Sequence, residues 1–399
     1  MKYCQSCVYP IQTVTAQADD GRFCNACRSA AELARVADVE FWNRRQAQFE
    51  RLIERYRSPD GSNYDCIVPA SGGKDSYWQA YLLKYEYGMN PLLVSYHGNN
   101  FLPEGQRNLD RMRETLGVDH LMFGPSVETL RKLNLTCFKK FGDMNWHAQA
   151  AANTVPLRTA VQFNVPLIVW GQLHWTISDI LAEGHVEYSP AAVTENELRG
   201  LSWREMVDGS GGLEPRELLW LQFPTDETLQ ASGIRGIYLS NFFKWDANEQ
   251  AMLMQDKFDF ESAREPFERT YRTTSSLDDM HESGIRDYLR FIKYGYGRAS
   301  DHASHDIRDG YITRHEAMGL VQLYDHVKPR RDLERWLDYV DMSEAEFDQI
   351  ADTFRSPRVW WIENGRWWKD NVWGRPSCYG DVNFSPALDV SKYQRQDAA

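Results

Sequence analysis

The sequence lacks a long hydrophobic run, and this absence excludes one class of protein. No apolar stretch in its 399 residues approaches the roughly 20 residues that a membrane-spanning helix needs. The first residues, MKYCQSC, contain no apolar segment of the kind found in secretory signals. We therefore expect a cytoplasmic protein that does not bind membranes.

Positive charge is also scarce. The chain has 45 Lys and Arg against 57 Asp and Glu, a net charge of −12. Broad electrostatic binding of DNA or RNA requires clustered Lys and Arg. We therefore expect no nucleic acid partner, although the overall charge leaves room for a local basic groove.

Cysteines are few and odd in number, which excludes a disulfide framework and favours reduced thiols or metal ligands. Four of the seven form the pairs Cys4-x-x-Cys7 and Cys24-x-x-Cys27, with 16 residues between them. This spacing predicts a tetrahedral structural zinc site, and metal binding would stabilise a segment too short to bury a core. Four free thiols or a redox dithiol are the alternatives. The other three are isolated: Cys66, Cys137 and Cys378.

Short apolar segments alternate with helical patterns in the first half of the chain. A helix is predicted from Ala31 to Arg57, and the Pro and Gly of Ser58–Gly61 mark a module boundary. The strand candidates that follow are YDCIVPA, PLLVSYH, HLMFG, PLIVWG and later GIYLSNFF. The helices between them are predicted near 77–87, 104–116, 127–141 and 149–163. This alternation predicts a parallel sheet covered on both faces, with ligands beyond the carboxyl ends of its strands.

Helical patterns dominate the second half. Thr313 and Ser343, each followed three residues later by Glu, are predicted to cap helices. The aromatic run VWWIENGRWWKDNVW predicts a packing hairpin with its turn at ENGR, and sugar stacking is the alternative. The predicted organisation is a zinc ribbon (1–30), a helical linker (31–61), an α/β domain (62–245), a mostly helical substrate or partner region (246–390) and a tail (391–399).

The turn SGGKDS, residues 71–76, joins the first predicted strand to a helix. Glycines let backbone amides approach phosphate oxygens, and a helix N-terminus adds partial positive charge. The turn is not a Walker A loop, because Val68 stands where the first glycine is required and Asp75 follows Lys74. Lys74 can neutralise pyrophosphate, and Asp75 can orient the turn or help to hold Mg²⁺. An ordinary βα turn with a solvent-facing lysine is the alternative.

This turn resembles the S-G-G-x-D-S loop of the ATP pyrophosphatase (PP-loop) superfamily, whose members cleave ATP between the α- and β-phosphates. Most of the chain resembles the N-acetyl sugar amidotransferases, PP-loop enzymes of surface-polysaccharide and nonulosonate biosynthesis. The segments that carry this resemblance include MKYCQSCVYP, GRFCNAC, YDCIVPASGGKDS, NPLLVSYHGNNF, NLDRMRETLGVDH, VPLIVWGQ, FFKWD, KYGYGRASDHASHDIRDGYITRHEA and FRSPRVW.

The resemblance implies an α/β fold: a parallel-sheet PP-loop domain (HUP-like, adenine nucleotide alpha hydrolase) between an N-terminal zinc ribbon and a mostly helical C-terminal region. It implies ATP, Mg²⁺ and structural Zn²⁺, and a nucleotide-activated acetamido sugar as substrate. ATP would adenylate the amide oxygen, and ammonia would then replace it to give an acetamidino sugar. The ammonia would come from a HisH-like glutaminase with a HisF-like subunit, since this chain shows no glutaminase nucleophile of its own.

The resemblance and the strand ends together predict the site residues. For ATP they are Ala70, Ser71, Gly72, Gly73, Lys74, Asp75, Ser76, Tyr96 and Gly171. For the sugar they are His147, Gln172, Lys293, Arg298, His302 and Arg308, and for catalysis Lys74, Asp75, Asp179, Lys293 and Arg298. A solvated basic loop is the alternative for 293–308.

The chain departs from the family at two places, which leaves the acceptor sugar open. Gln172 stands where relatives carry Glu, so Asp179 is expected to supply the carboxylate. Relatives tend to carry a C-x-x-C-H motif after Gly-Asp. Here Gly142-Asp143 is followed by Met144-Asn145-Trp146-His147, so only the histidine of that motif remains. Two rival functions stay open: a tRNA thiolase, for which Cys137 is the isolated candidate thiol, and a nucleotide-binding scaffold without catalysis.

Overall fold

The computed structural model describes residues 1–11, 21–172, 185–207, 212–277 and 282–395. Within these ranges no helix is both long enough and apolar enough to cross a membrane.

The N-terminal segment leads into two helices where the sequence predicts one. Helix α1 (Asn25–Val36) and helix α2 (Val39–Ile53) are separated by two residues. The side chain of Asp38 accepts a hydrogen bond from the amide of Phe41 and so caps α2. The predicted single helix 31–57 was therefore wrong, because a capping aspartate starts a new helix inside it.

Five parallel strands form the central sheet, as predicted, in the order β3-β2-β1-β4-β5. The strands are β1 (Cys66–Pro69), β2 (Pro91–Tyr96), β3 (Asp119–Phe123), β4 (Leu167–Trp170) and β5 (Arg235–Tyr238). Because β1 lies between β2 and β4, the turn that follows β1 sits at the centre of the carboxyl edge.

Helices cover both faces of this sheet. They are α3 (Lys74–Tyr81), α4 (Pro103–Thr115), α5 (Val127–Phe141), α6 (Trp146–Phe163), α7 (Pro190–Asn196), α8 (Arg204–Val207), α9 (Asp226–Ser232) and α10 (Ala247–Phe258). Apolar side chains of α2, α3, α4 and α10 pack on one face. Those of α5, α6, α7 and α8 pack on the other. Burial on both faces explains why the strands are apolar runs rather than alternating patterns.

The C-terminal region is mostly helical and ends in a small antiparallel sheet. Its elements are α11 (Glu282–Tyr294), α12 (Arg298–Arg308), α13 (Arg314–Tyr324), α14 (Arg330–Val340), α15 (Glu344–Thr353), β6 (Trp361–Glu363), β7 (Arg366–Lys369) and β8 (Ser377–Asp381). Thr313 caps α13 and Ser343 caps α15, as predicted. Asn364 and Gly365 both have positive φ, which a tight two-residue hairpin between β6 and β7 requires.

The N-terminal segment packs against this C-terminal region. The amino group of Met1 forms an ion pair with Asp370 at 2.5 Å. Arg314 donates hydrogen bonds to the carbonyl oxygens of Cys7 at 3.0 Å and Cys4 at 3.3 Å. The four-cysteine segment is thus fixed to α13 by a guanidinium that bridges two of its backbone carbonyls.

Candidate functional site

The glycine turn has a backbone that only glycine can adopt at its second position. Gly72 has φ of +78°. A Cβ there would lie 3.0 Å from the Cβ of Leu109 and 3.1 Å from the backbone of the same residue, on α4. A side chain at this position would therefore combine unfavourable backbone geometry with a steric clash.

The hydrogen bonds of the turn leave the start of α3 open to a ligand. The amide of Gly73 donates to Ser71 Oγ at 3.3 Å, and Ser76 Oγ donates to the Gly73 carbonyl at 2.9 Å. Gly73 is the N-cap of α3, and no side chain caps this helix end. Amides of an uncapped first turn, with the helix dipole behind them, can bind the oxygen atoms of a phosphate.

Two charged side chains stand at this helix end. Lys74 Nζ forms an ion pair with Asp75 Oδ2 at 2.7 Å. The other oxygen, Asp75 Oδ1, is buried and has no hydrogen-bond partner among the described residues. Native buried polar atoms are nearly always satisfied, so an unpartnered carboxylate oxygen beside an uncapped helix end fits a divalent cation or its bound water.

The neighbouring strand ends approach the turn closely. The amide of Ala70 donates to the Val94 carbonyl of β2 at 2.9 Å, and Ser95 Oγ donates to the carbonyl of Ala70. On the other side, a Cβ on Gly171 would meet the end of the flexible Gln79 side chain, which would have to move. Gln172 follows, half-buried. Asp179, the predicted catalytic carboxylate, lies outside the described residues.

A buried polar cluster lies on the second face of the sheet and joins two predicted site residues to a third that the sequence did not reveal. Tyr96 Oη lies 2.9 Å from His147 Nδ1. His147 Nε2 lies 3.1 Å from Glu282 Oε1. His147 and Glu282 are 0% and 1% exposed, whereas Tyr96 is half-buried with its ring stacked on Trp220. No local motif surrounds Glu282, and only its contact across 135 residues identifies it.

Two asparagines and a tryptophan complete this cluster. Asn134 Nδ2 donates to Glu282 Oε1 at 2.9 Å, and Asn145 Nδ2 donates to Glu282 Oε2 at 2.7 Å. Trp336 Nε1 donates to Asn134 Oδ1 at 2.8 Å. Burial alone would raise the pKa of Glu282, but its contacts with His147 and the two asparagines outweigh burial and lower that pKa.

Lys293 lies beside the carboxylate of Asp143, whose ion pairs link the sheet domain to α11. Its Nζ donates to the Phe141 carbonyl at 3.2 Å, and burial lowers the pKa of Lys293 to about 8. The nearby Asp143 carboxylate pairs with Arg199 at 3.3 Å and Arg286 at 3.6 Å. One carboxylate thus faces three cationic side chains, an arrangement that can attract a further anion.

Arg298 and His302 belong to a separate network of buried charges. Arg298 Nε lies 3.1 Å from Asp287 Oδ1, and Arg298 Nη1 donates to Asp301 at 3.3 Å. His302 Nδ1 lies 2.6 Å from Thr270 Oγ1, and burial lowers the pKa of His302 well below its usual range. Arg308 is the half-buried last residue of α12. The predicted basic segment is therefore divided, with Lys293 facing Asp143 and Arg298 facing Asp287.

The four paired cysteines converge, as their spacing predicts. Their Sγ atoms all lie within 4.8 Å of one another, and all four residues are buried. The Sγ atoms of Cys7 and Cys24 are 3.8 Å apart, too far for a disulfide. Zinc–sulfur bonds of about 2.3 Å in a tetrahedron require sulfur atoms roughly 3.8 Å apart. The cluster could therefore bind a structural zinc ion.

Two of the isolated cysteines are core residues. Cys66 and Cys137 are both 0% exposed, and burial raises the pKa of each thiol. A buried thiol with a raised pKa forms little thiolate, and the thiolate is the nucleophile. Cys137 therefore has neither the exposure nor the charge state of a reactive cysteine.

Comparison with known proteins adds one match. Residues 261–372 match the family described as LPS biosynthesis protein WbpG-like, C-terminal domain. The matched segment spans α11–α15 and the first two strands of the small sheet, a little over a quarter of the chain. No curated protein matches the chain. The family match supports a role in surface-polysaccharide biosynthesis, specifically that of lipopolysaccharide.

Proposed function

We propose that this protein is an ATP-dependent amidotransferase that acts on the acetamido group of a nucleotide-activated sugar. The observation that carries the proposal is the turn at residues 71–76. Its glycine backbone, uncapped helix end, lysine and unpartnered carboxylate oxygen meet at the centre of the carboxyl edge of a parallel sheet. The match to a lipopolysaccharide biosynthesis domain supports a sugar as substrate.

The chemistry solves a leaving-group problem. An amide oxygen does not leave when ammonia attacks the amide carbon. If that oxygen first attacks the α-phosphorus of ATP, pyrophosphate departs and the oxygen becomes part of an AMP group. Ammonia then forms a C–N bond to the carbon, the C–O bond breaks, and AMP leaves with the bonding electrons. The product is an acetamidino sugar, and water must be excluded because it would compete with ammonia.

The residues of the turn take distinct roles in this reaction. The amides of Gly72 and Gly73 and the hydroxyls of Ser71 and Ser76 would hold the pyrophosphate, and Lys74 would neutralise its charge. Mg²⁺, held with the help of Asp75, would neutralise further phosphate charge when bound. The remaining contacts with ATP would come from the flanking strand ends, at Ala70, Tyr96 and Gly171.

The acceptor sugar nucleotide carries phosphates of its own, and Lys293 offers a place for them. Arg199 and Arg286 add positive charge there that Asp143 alone does not neutralise. Gln172 would contact the sugar, and the fully buried His147 would act through its hydrogen bond with Tyr96. Arg298, His302 and Arg308 would act indirectly, by holding α11 and α12 in position. A HisH-like glutaminase and a HisF-like subunit are the proposed source of ammonia, and the proposed site of action is the cytoplasm.

The test is mass spectrometry of the purified protein with ATP, Mg²⁺, ammonium and UDP-linked acetamido sugars. We expect a sugar that carries NH in place of the amide oxygen, together with AMP and pyrophosphate. If the acetyl oxygen is labelled with its heavy isotope, the label should appear in AMP, because that oxygen leaves with the phosphorus. Absence of label from AMP, with product formed, would refute adenylation of the amide.

A matched pair of lysine variants links this activity to the turn. Lys74→Ala should abolish AMP formation, because the ammonium beside the pyrophosphate is lost. Lys84→Ala removes a lysine of the same helical segment that contacts only the Gly117 carbonyl among described groups, and should leave activity unchanged. Equal activity of the two variants would favour nucleotide binding without catalysis, the scaffold function.

A further inference from the structure

The cluster around Glu282 contains more polar groups than packing requires. A carboxylate buried to 1% exposure is costly unless it is paired and hydrogen-bonded. Glu282 meets this condition through His147, Asn134 and Asn145, and apolar residues could fill the same space without that cost. The arrangement is therefore better suited to holding and moving protons than to packing alone.

The hydrogen-bond directions fix the protons of the cluster. Asn134 Oδ1 accepts from Trp336, so its other end is the amino group. The two hydrogens of that group go to the Leu130 carbonyl at 3.0 Å and to Glu282 at 2.9 Å. None remains for His147, so His147 Nε2 carries its own hydrogen and donates it to Glu282. In the neutral imidazole Nδ1 then has a lone pair, which accepts the hydroxyl hydrogen of Tyr96.

The cluster reaches the carboxyl edge of the sheet through Tyr96. Tyr96 is the last residue of β2. It is half-buried, whereas His147 and Glu282 are fully buried. Helix α6 ends just before β4, so it runs opposite to the strands and starts at their carboxyl edge. His147 lies in its first turn. Tyr96 thus joins a buried histidine–glutamate pair to the edge at which the turn after β1 also lies.

We propose that Tyr96, His147 and Glu282 form a proton relay that removes a proton from ammonia as it attacks the activated amide. This inference rests on the proposed function. As the C–N bond forms, the new nitrogen carries an excess proton, which passes to Tyr96 Oη. The hydroxyl hydrogen of Tyr96 passes to His147 Nδ1, and the imidazolium is stabilised by Glu282. After AMP and product leave, the proton passes back along the same path to water that enters the emptied site, which restores the neutral relay.

The two halves of the reaction differ in their need for this relay. The amide oxygen carries no proton, so its attack on phosphorus requires no base. The attack of ammonia leaves a protonated nitrogen that must be neutralised to give the amidine. A relay variant should therefore lose the second half and keep the first, a difference that a purely structural role would not produce.

The first experiment compares Tyr96→Phe with Tyr188→Phe. Tyr188 also stacks on a tryptophan, Trp170, and its buried hydroxyl has no hydrogen-bond partner among the described residues. Tyr96→Phe should slow amidine formation about 100-fold, the usual worth of a general base. It should slow amidine formation at least tenfold more than it slows sugar-dependent exchange of labelled pyrophosphate into ATP, measured without ammonia. Tyr188→Phe should change neither rate.

The second experiment measures both half-reactions of Glu282→Gln at constant free ammonia. A neutral amide stabilises the imidazolium less than a carboxylate does, so the variant should slow amidine formation more than it slows pyrophosphate exchange. The other ionisable groups that face the relay are Cys137 from α5, Asp143 with Arg199, and Tyr339 from α14.

The outcomes separate this inference from the proposed function. If the wild type shows no sugar-dependent pyrophosphate exchange, adenylation itself is refuted and the relay with it. If exchange is normal and Tyr96→Phe forms amidine at the wild-type rate, only the relay is refuted. The relay is refuted as well if Tyr96→Phe slows both half-reactions equally, or if Glu282→Gln forms amidine at the wild-type rate.

Discussion

Replacement of Gly72 by alanine gives a direct test of the geometry of the glycine turn. The φ of +78° places the residue in the left-handed region, which costs an L-residue about 1–2 kcal/mol. The new methyl group would also lie 3.0 Å from Leu109 Cβ and 3.1 Å from its backbone N and Cα. A flexible side chain could move away, but the backbone of a buried residue in α4 cannot.

The two effects add to a large loss of stability for one methyl group. Inserting a methyl group into a packed site typically costs about 1–3 kcal/mol. Together with the backbone strain, we expect Gly72→Ala to lower the free energy of unfolding by roughly 2–5 kcal/mol. If the turn instead shifts to relieve the clash, the amides move away from the phosphate site and pyrophosphate exchange is lost.

The matched control is Gly73→Ala. Gly73 has φ of −79°, and a Cβ there would contact only Ser71 Oγ, at 3.2 Å. The free energy of unfolding of this variant should lie within about 1 kcal/mol of the wild-type value, because alanine adopts that backbone without strain. Urea unfolding, followed by tryptophan fluorescence, measures both variants. Equal stability of Gly72→Ala and Gly73→Ala, with normal exchange in both, would refute the assigned geometry.

Three further predictions follow from buried groups. Cys7→Ser should lose bound zinc by metal analysis and expose the N-terminal segment to proteolysis, whereas Cys378→Ser should do neither. Burial lowers the pKa of Lys369 to about 7 from its ordinary 10.5, so the unfolded chain binds more protons between these pH values. The free energy of unfolding should therefore rise with pH across this window by roughly 4–5 kcal/mol relative to Lys369→Met, and a constant difference would contradict this. Cys137→Ala should keep full turnover, and its loss in a folded variant would favour thiolation.

The sequence predicted those parts of the fold that depend on neighbouring residues. The strands, the predicted helix 127–141 and both capped C-terminal helices were found where local patterns placed them. Periodicity and capping act over a few residues, so the chain displays them directly. The one helix predicted across Asp38 was wrong for the same reason, since the cap at that residue is a local signal that outweighed the continuing helical pattern.

The residues of the candidate site also fall into two groups, those visible in the sequence and those that only the structure identifies. Four cysteines at zinc spacing and a glycine turn between a strand and a helix are visible in the sequence, because each motif lies within about 30 residues. The partner of His147 is not visible, because Glu282 lies 135 positions away in a stretch with no motif. The paired state of Arg298 and the burial of His302 were equally hidden.

By itself, then, the sequence determined a parallel α/β domain, a glycine-rich turn between a strand and a helix, and a four-cysteine segment, since backbone conformation and ligand spacing are local properties. Only the tertiary structure decided which side chains share a buried environment. Packing of α6 against the sheet brings His147 to Tyr96, and packing of α11 brings Glu282 to His147. Burial and charge depend on neighbours that are distant in the chain, and these neighbours determine what each ionisable group can do.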